Sequence, residues 1–328
     1  MGITQKDIAR EAGVTVSTVS RALGKKASIS PDIRDKIASI AEKHGYRRKR
    51  SSNVVSYIID KRFFLLTSHF YNRVIEGIEE ELRRESFLFQ FNSLEPDRFS
   101  AKGLELDNLA GIIVTSAYHD DFIQELRSMG VPLVLLDYYL PTADIDSILI
   151  DNADGVMVGL QHLSALGHRR IAYLAGDTRE IGAADRLYGY RRAVAAFGLE
   201  AEEELVLPCE FSIQGACEVM RGYLERARVR PTAVMGVNDI VAIGALEASK
   251  AAGLRIPEDI SVLGFDDIDL ANDVVPRLST MHVRKKLMGR LAVERLTRSI
   301  RNEESGFTKV ALKPFLVERG STGRPSGS

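Results

Sequence analysis

Short apolar runs alternate with amphipathic stretches along most of this 328-residue chain. From residue 53 onward, runs rich in Val, Ile and Leu are separated by longer segments in which apolar residues recur at helical spacing. The strand-like runs cover residues 54–59, 87–91, 111–114, 133–136, 147–150, 171–175, 233–237, 261–265 and 279–283. Helical stretches between them cover residues 71–84, 153–166, 189–197 and 240–252. This alternation predicts parallel sheets, and its two successive series predict an α/β fold with two doubly wound lobes.

The first 46 residues carry a different pattern, that of three short helices. Thr4 is placed to cap the first helix, with Asp7 in the third position of a capping box. Gly13 follows this helix, where a left-handed residue is favoured, and Thr15 is the expected N-cap of the second helix. A Ser-Pro pair then begins a third helix, because Pro is tolerated in the first turn. Two short helices joined by a tight turn predict an all-α, three-helix head of the helix-turn-helix type in residues 1–46.

The second helix of this head presents small, polar or basic side chains outward, which suits a helix whose N-terminal end enters the major groove. Arg21 is expected to pair with guanine, and Val16 to meet a thymine methyl group. Thr4, Thr15 and Ser20 are expected to contact phosphates, which fix register without reading sequence. A bundle without DNA contacts is the alternative, and the exposed Arg and the local positive charge argue against it. The predicted contacts are Thr4, Thr15, Val16, Ser17, Thr18, Ser20 and Arg21.

Charge is distributed unevenly between the head and the rest of the chain. The formal net charge is −1, with 44 Lys and Arg against 45 Asp and Glu. Residues 1–50 nevertheless carry 12 basic against 5 acidic residues, which leaves 32 basic against 40 acidic residues in the remainder. A basic head on an acidic body predicts that only the head meets a polyanion.

The head resembles that of the lac repressor family of bacterial regulators. The matching residues are I-T-Q-K-D-I-A-R-E-A-G-V-T-V-S-T-V-S-R-A-L, then I-S-P-D-I-R-D-K-I and H-G-Y. The resemblance continues to about residue 320 and implies a homodimer on operator DNA. It also implies an effector-binding and dimerisation body with the architecture of the periplasmic sugar-binding proteins. The expected divisions are a body at 53–320, a first lobe at 53–151 with 284–302, a second lobe at 152–283 with 303–320, and a flexible tail at 321–328.

Residues 47–52 form a short basic linker that departs from the family. Relatives usually continue with Pro-Asn and an Ala-Arg-x-Leu stretch, which forms a hinge helix in the minor groove. This chain has R-R-K-R-S-S, followed at once by a strand-like run. The basic cluster is either a solvated linker or an arm laid along phosphates or in a narrow minor groove, where Arg is favoured. The second interpretation adds Arg47, Arg48 and Arg50 to the predicted DNA contacts.

Polar side chains follow several strand-like runs, at the strand ends where a doubly wound sheet binds its ligand. With two lobes, these ends face a cleft between them. Carboxylate, amide and guanidinium groups in that cleft can bind vicinal hydroxyl groups through charge-assisted hydrogen bonds. The alternative is that these residues cap helices, and we favour it for Asp239.

The family resemblance implies effector contacts at several of these positions. R-L-Y-G-Y and G-F-D-D match family motifs that contain an effector-binding Arg and Asp. Phe70-Tyr71 departs from the family's Asn-Pro-Phe-Phe, because the segment that precedes it, D-K-R-F-F-L-L-T-S-H, is unusual. Aromatic residues on both sides of the cleft offer faces on which a sugar ring can stack. The predicted effector residues are Phe70, Tyr71, Asp137, Arg186, Phe211, Asn238 and Asp266.

Composition and motifs argue against enzymatic, secreted and membrane classes. The sequence contains no G-x-S-x-G, Walker A, H-E-x-x-H or G-x-G-x-x-G motif, and its six His residues are scattered. We therefore predict no catalytic site, no cofactor and no bound metal. Cys209 and Cys217 form no C-x-x-C pair, the N-terminus lacks an apolar signal region, and no apolar run approaches ~18 residues. These features predict a cytoplasmic protein with no membrane contact.

The predicted function is that of a DNA-binding transcriptional regulator, expected to be a repressor. Its operator affinity is expected to be controlled by a small ligand between the lobes, a sugar or sugar derivative, with a nucleobase as the alternative ligand. The alternative function is a cytoplasmic sugar-binding protein without a DNA role. The complete head and the missing signal peptide argue against that alternative.

Overall fold

The computed structural model describes residues 3–23, 29–44, 46, 52–95, 109–115, 120–141, 143–303 and 306–326, apart from the side chains of residues 20, 62, 63 and 66. The chain divides into two compact units, Met1–Ser52 and Asn53–Ser328. The first unit is the head, and the second is the body.

The head consists of three helices, α1 (Gln5–Ala12), α2 (Val16–Leu23) and α3 (Pro31–Lys43). Each contributes one fully buried aliphatic side chain to a common core, namely Ile8, Val19 and Ile37. Helix α1 has both of its predicted end structures. The capping box of Thr4 and Asp7 begins α1, and Gly13 ends it in the left-handed region at φ 70°. The predicted helix-turn-helix is confirmed.

The body contains two six-stranded sheets within its described residues. Their strands are β1 (Val54–Asp60), β2 (Leu88–Leu94), β3 (Gly111–Thr115), β4 (Leu133–Leu136), β5 (Asp146–Ile150), β6 (Ile171–Ala175), β7 (Val206–Pro208), β8 (Ala233–Gly236), β9 (Ser261–Asp266), β10 (Ser279–His282), β11 (Lys309–Leu312) and β12 (Phe315–Val317). The helices are α4 (Lys61–Arg84), α5 (Asp120–Ser128), α6 (Asn152–Ala165), α7 (Ile181–Phe197), α8 (Ile213–Arg226), α9 (Asp239–Ala251) and α10 (Lys285–Arg301). Short 3-10 helices occupy Glu203–Leu205 and Asp269–Asn272.

Both sheets have the doubly wound arrangement predicted from the sequence. The first has the order β11-β5-β4-β3-β1-β2, and the second has the order β12-β10-β9-β8-β6-β7. All pairings are parallel except that of β10 with β12. Every residue of β3, β5, β6, β8 and β9 is buried. This follows because parallel sheets are covered by helices on both faces, which requires continuous apolar strands.

The chain crosses between the lobes three times, after β5, after β10 and after β11. The late return to the first lobe, predicted near residues 284–302, is helix α10, which packs on α4 and against β3 and β4. The assignment of residues 303–320 to the second lobe is wrong for β11. This strand pairs in parallel with β5 and adds an edge to the first sheet. Only β12, after the third crossing, returns to the second sheet.

The predicted flexible tail at residues 321–328 is also wrong as far as it is described. Ser321 is fully buried, and its hydroxyl donates to the carbonyl oxygen of Val262 at 2.6 Å. His168, which is also buried, hydrogen-bonds the carbonyl oxygen of Gly323 at 2.9 Å. The segment is held because it satisfies polar groups of the second lobe.

Helix α4 begins ten residues earlier than the predicted 71–84. It starts directly after β1, at Lys61, and has a non-helical kink at Thr67 with φ −121° and ψ 16°. The segment that departs from the family is therefore helical. The kink separates this added part from the part of α4 that carries Phe70 and Tyr71.

Two glycines allow α4 and α10 to pack with their backbones in close contact. A Cβ atom built on Gly77 would lie 2.2 Å from the carbonyl oxygen of Lys286. A Cβ atom built on Gly289 would lie 2.2 Å from the carbonyl oxygen of Val74. Because both neighbours are backbone atoms, a side chain at either position requires the helices to separate.

We expect Gly289→Ala to lower the free energy of unfolding of the body by about 1–3 kcal/mol, the usual cost of overpacking a core. Urea denaturation of the full-length protein measures this. Gly182→Ala is the control, since its Cβ would have ordinary contact at 3.6 Å from Asn152 Nδ2, also within a helix. Equal stability of the two variants would contradict the close-packing argument.

Candidate functional site

The second helix of the head carries an exposed polar face. The hydroxyl of Thr15 accepts from the backbone N–H of Thr18 at 3.2 Å, so Thr15 caps α2 as predicted. The aliphatic side chain of Val16 is 40% exposed. The predicted contact residues Thr4, Thr15, Ser17 and Arg21 are exposed and Thr18 is half-buried. The side chain of Ser20 lies outside the described part of the chain, as do Arg47, Arg48 and Arg50.

All seven predicted effector residues line one cavity of about 180 Å³ between the lobes of the body. The first lobe contributes Phe70 and Tyr71 from α4 and Asp137 from the end of β4. The remaining four belong to the second lobe. They are Arg186, Phe211, Asn238 and Asp266.

Arg186 contacts several residues on the second-lobe side of the cavity. The sequence placed it in a loop at a strand end, whereas it lies within α7. Its guanidinium donates to Asn152 Oδ1 at 2.7 Å, to the Val237 carbonyl at 2.7 Å and to Asp266 Oδ1 at 3.0 Å. The same group lies over the ring of Phe265, 3.8 Å from its centroid. These contacts compensate for removing the cation from water.

Two carboxylates face each other from opposite lobes. Asp137 accepts a hydrogen bond from the hydroxyl of Tyr71 at 2.8 Å. Burial raises the pKa of Asp137 to about 6, and burial also raises the pKa of Asp266, against the opposing effect of Arg186. Both residues have positive φ, 55° at Asp137 and 108° at Asp266, a region that costs energy for residues with a side chain. The fold thus holds two aspartates in strained backbone at the cavity.

Phe211 reaches the cavity over a glycine. It lies in the connection between β7 and α8, and its ring covers Gly176, where a built Cβ would lie 2.3 Å from the ring. The absence of a side chain at Gly176 therefore makes room for this aromatic face.

The expectation that Asp239 caps a helix is wrong, because its neighbour does so. Asn238 Oδ1 accepts from the backbone N–H of Val241 at 2.9 Å and caps α9. Asp239 is instead fully buried, accepting from Thr280 Oγ1 at 2.5 Å and from the Ile268 N–H at 2.8 Å. Burial, reinforced by the nearby charge of Asp266, raises its pKa to about 8. The adjacent Asn and Asp in the sequence are a signal of this division of roles, because only one of the two residues can cap α9.

Several cavity residues were not identified from the sequence. They are Thr67, His69, Tyr138, Arg179, Glu180, Ile181, Ala183, Val237, Ile240 and Ile268. Most lie at the kink of α4 or at the start of α7, which sequence periodicity does not locate. Arg73 on α4 also reaches Asp269 of the second lobe at 2.8 Å. This ion pair links the two lobes beside the cavity.

Comparisons with known proteins place the chain in a family. Residues 4–49 match the model of the bacterial regulatory proteins of the lacI family, and residues 160–322 match a periplasmic binding protein-like domain. The ribose operon repressor of Haemophilus influenzae is 30% identical over 329 residues, covering 97% of this chain and 98% of that protein. The chain belongs to the lacI family.

Two solved structures extend the likeness of this lacI-family regulator to three dimensions. The transcriptional regulator CelR in complex with cellobiose is 29% identical, with a TM-score of 0.76 over 97% of this chain and 99% of CelR. A lacI-family regulator of Enterococcus faecium with bound ribose is 25% identical, with a TM-score of 0.73 over 83% of this chain and 99% of that one.

Two kinds of feature are absent from the described ranges. No helix there is long and apolar enough to cross a membrane. No group of three or more His, Cys, Asp or Glu residues within those ranges is arranged to hold a metal ion.

The raised pKa of Asp239 predicts a pH dependence of stability. A carboxyl with a folded-state pKa of about 8 and an ordinary value of 3.8 gives stability that is complete below pH ~4 and lost as the pH rises toward 8. We expect the unfolding free energy of the native protein, relative to Asp239→Asn, to fall between pH 5 and pH 8. One proton gives at most about 1.4 kcal/mol per pH unit.

Urea denaturation at several pH values measures this difference. Asp259→Asn is the control, because Arg255 holds the pKa of Asp259 down at about 2, so its titration lies outside the range tested. A difference for Asp239→Asn that stays constant with pH would show that this carboxyl is ionised throughout.

Proposed function

We propose that this lacI-family regulator binds a neutral, polyhydroxylated ligand of the sugar class in the interlobe cavity, and that the ligand sets its affinity for operator DNA. The single observation that carries the proposal is the composition of the cavity. Hydrogen-bonding groups from both lobes surround it, with Asp137 on one side and Arg186, Asn238 and Asp266 on the other. A ligand that bridges them stabilises one orientation of the lobes, because it can shift an equilibrium only by its differential affinity for two states.

The charges around the cavity favour a neutral ligand over an anionic one. Its lining contains the carboxyl groups of Asp137, Glu180 and Asp266, besides that of Asp239 with its pKa raised to about 8, against the guanidinium groups of Arg179 and Arg186. Arg179 is engaged by Asp177, and Arg186 by Asp266. A phosphate group would therefore meet an excess of carboxyl groups without a cation dedicated to it.

Size and aromatic content support a compact sugar. The cavity of about 180 Å³ is small beside the ~300–1,000 Å³ typical of drug-sized ligands. Phe70, Tyr71 and Phe211 provide apolar faces beside the polar groups. Two similar regulators were solved with sugars, one with cellobiose and one with ribose. The smaller of these ligands suits the observed cavity better.

Operator binding is assigned to the head, acting in pairs. One short helix reads too few bases for useful specificity, so two heads on a homodimer would read a pseudo-palindrome with major grooves ~34 Å apart. We assign base contacts to Val16, Ser17, Thr18 and Arg21, and phosphate contacts to Thr4, Thr15 and Ser20. Arg47, Arg48 and Arg50 are proposed as further backbone contacts. We further propose that the protein acts as a repressor in the cytoplasm.

A thermal-shift screen tests the ligand class. The panel is D-ribose, D-galactose, cellobiose, hypoxanthine and D-ribose 5-phosphate. A binding sugar at about 100 times its Kd stabilises the folded state by about 2.7 kcal/mol, which raises the melting temperature by several degrees. We expect a neutral monosaccharide to do so, and the phosphorylated sugar to do so less. A stronger effect of the sugar phosphate would contradict the charge argument.

Substitutions test whether the ligand binds in the interlobe cavity. Asp266→Asn removes a charged acceptor, so we expect ligand affinity to fall about 10-fold or more, the value of a hydrogen bond to a charged group. Asp273→Asn, an exposed carboxylate of the same lobe that does not line the cavity, is the control. An unchanged ligand response in folded Asp266→Asn would place the ligand elsewhere.

Selection from a random duplex library identifies the operator, and Arg21→Ala then tests base reading. Loss of a bidentate contact to guanine reduces the preference for operator over random DNA by about 1–3 kcal/mol. Lys36→Ala, which removes one positive charge from the exposed surface of α3, is the control. If Arg21→Ala weakens binding to both DNAs equally, Arg21 contacts phosphate and not a base.

A further inference from the structure

The second interlobe crossing contains a buried lysine. Helix α10 belongs to the first lobe and begins at Lys285, three residues after β10 of the second lobe ends. The Lys285 side chain is 7% exposed and does not line the cavity. It is therefore a charged group that the proposed ligand contacts do not use.

The ammonium of Lys285 is held by backbone carbonyl groups. Its Nζ donates to the carbonyl oxygen of Asp266, to that of Asp267 at 2.9 Å, and to that of Val283 at 3.4 Å. Asp266 and Asp267 have φ values of 108° and 54°, so two successive residues adopt the strained left-handed region. This backbone conformation turns both carbonyl groups toward one cation.

The position of this cation is unfavourable in isolation. A positive charge at the first turn of a helix opposes the helix dipole, and a buried ammonium loses its hydration. Burial accordingly lowers the pKa of Lys285, although the carboxyl groups of Asp266 and Asp239 oppose that effect. In this position the lysine joins the start of α10 to the end of β9.

A continuous set of contacts runs from this lysine to the opposite wall of the cavity. Asp266 lines the cavity and supplies a carbonyl group to Lys285. Lys285 begins α10, which packs backbone to backbone on α4 at Gly289 and Val74. Helix α4 in turn carries Phe70 and Tyr71. Lys285 thus connects both walls of the cavity, in addition to the ion pair of Arg73 and Asp269.

We propose that Lys285 is a positioning residue that ties the orientation of α10, and with it the first lobe, to the backbone of Asp266. A ligand that engages Asp266 then acts on the lobe angle through this ammonium. The proposal rests on the proposed function in treating lobe movement as the response to ligand. Its test uses no ligand, so a failed ligand screen and a failed test are distinguishable.

The test measures the distance between the lobes in the full-length protein. Spin labels are placed at Gln124→Cys on α5 and Glu218→Cys on α8, both exposed, in a background with Cys209→Ala and Cys217→Ala. Labelled protein is diluted with unlabelled protein, so that distances within one chain are observed by pulsed electron paramagnetic resonance. We expect Lys285→Met to shift and broaden the distance distribution.

Lys286→Met is the matched control. Lys286 is the next residue of α10, but it is exposed and pairs with Glu76 and Glu80 of α4, within the same lobe. We expect its distance distribution to equal that of the parent protein. A purely structural role for Lys285 would lower the melting temperature without moving the lobes, and that result would overturn the proposal.

Hydrogen exchange supplies a second measurement. The amide hydrogens of Asp267 and Ile268 bond Thr280 and Asp239 across the turn that Lys285 holds. Loss of the ammonium is expected to speed their exchange by about 10-fold or more. If Lys285→Met does not fold, Lys285→Gln, which keeps a neutral donor, replaces it. Unchanged distances and exchange in either folded variant would overturn the proposal.

Discussion

The body of this protein depends on keeping charged groups at the ends of buried parallel strands. Arg186 makes this possible, because its guanidinium joins α6, α7, β8 and β9 through Asn152, Val237 and Asp266. A buried cation without such partners would destabilise the second lobe. Two of these partners, Val237 and Asp266, also line the interlobe cavity. The contacts that satisfy the charge therefore form part of one wall of that cavity.

The opposite wall depends on close backbone packing. Gly77 and Gly289 bring α4 and α10 together without intervening side chains, so the two helices are expected to move as one body. Since α10 begins at a lobe crossing and α4 carries the aromatic residues of the cavity, movement at the crossing displaces that wall. Lys285 lies at this crossing, at the start of α10 and in contact with the backbone of Asp266. A small change at Asp266 can thus alter the relation between lobes without a mobile loop.

Much of the fold could be predicted from the sequence, because its signals are local. Thr4, Gly13 and Thr15 occupy cap positions whose chemistry is specific to helix ends. The apolar strands and the helices between them follow from periodicity alone. The elements that were assigned wrongly are held by contacts between segments that are distant in the chain. Strand β11 joins the first sheet through pairing with β5, which no local pattern reveals, and the C-terminal segment is held by polar groups more than 50 positions away in the chain.

The sequence by itself determined the helix-turn-helix head, the doubly wound body and seven of the residues that line the cavity. Only the tertiary structure decided the burial, the backbone conformation and the hydrogen-bond partners of those residues. The burial of the Asp239 carboxyl depends on the space beside Gly264, where a Cβ atom would lie 2.1 Å from Asp239 Oδ1. The role of Lys285 depends on backbone angles at two residues distant from it in the chain. Burial and backbone direction arise from packing between distant segments, and local residue patterns do not encode them.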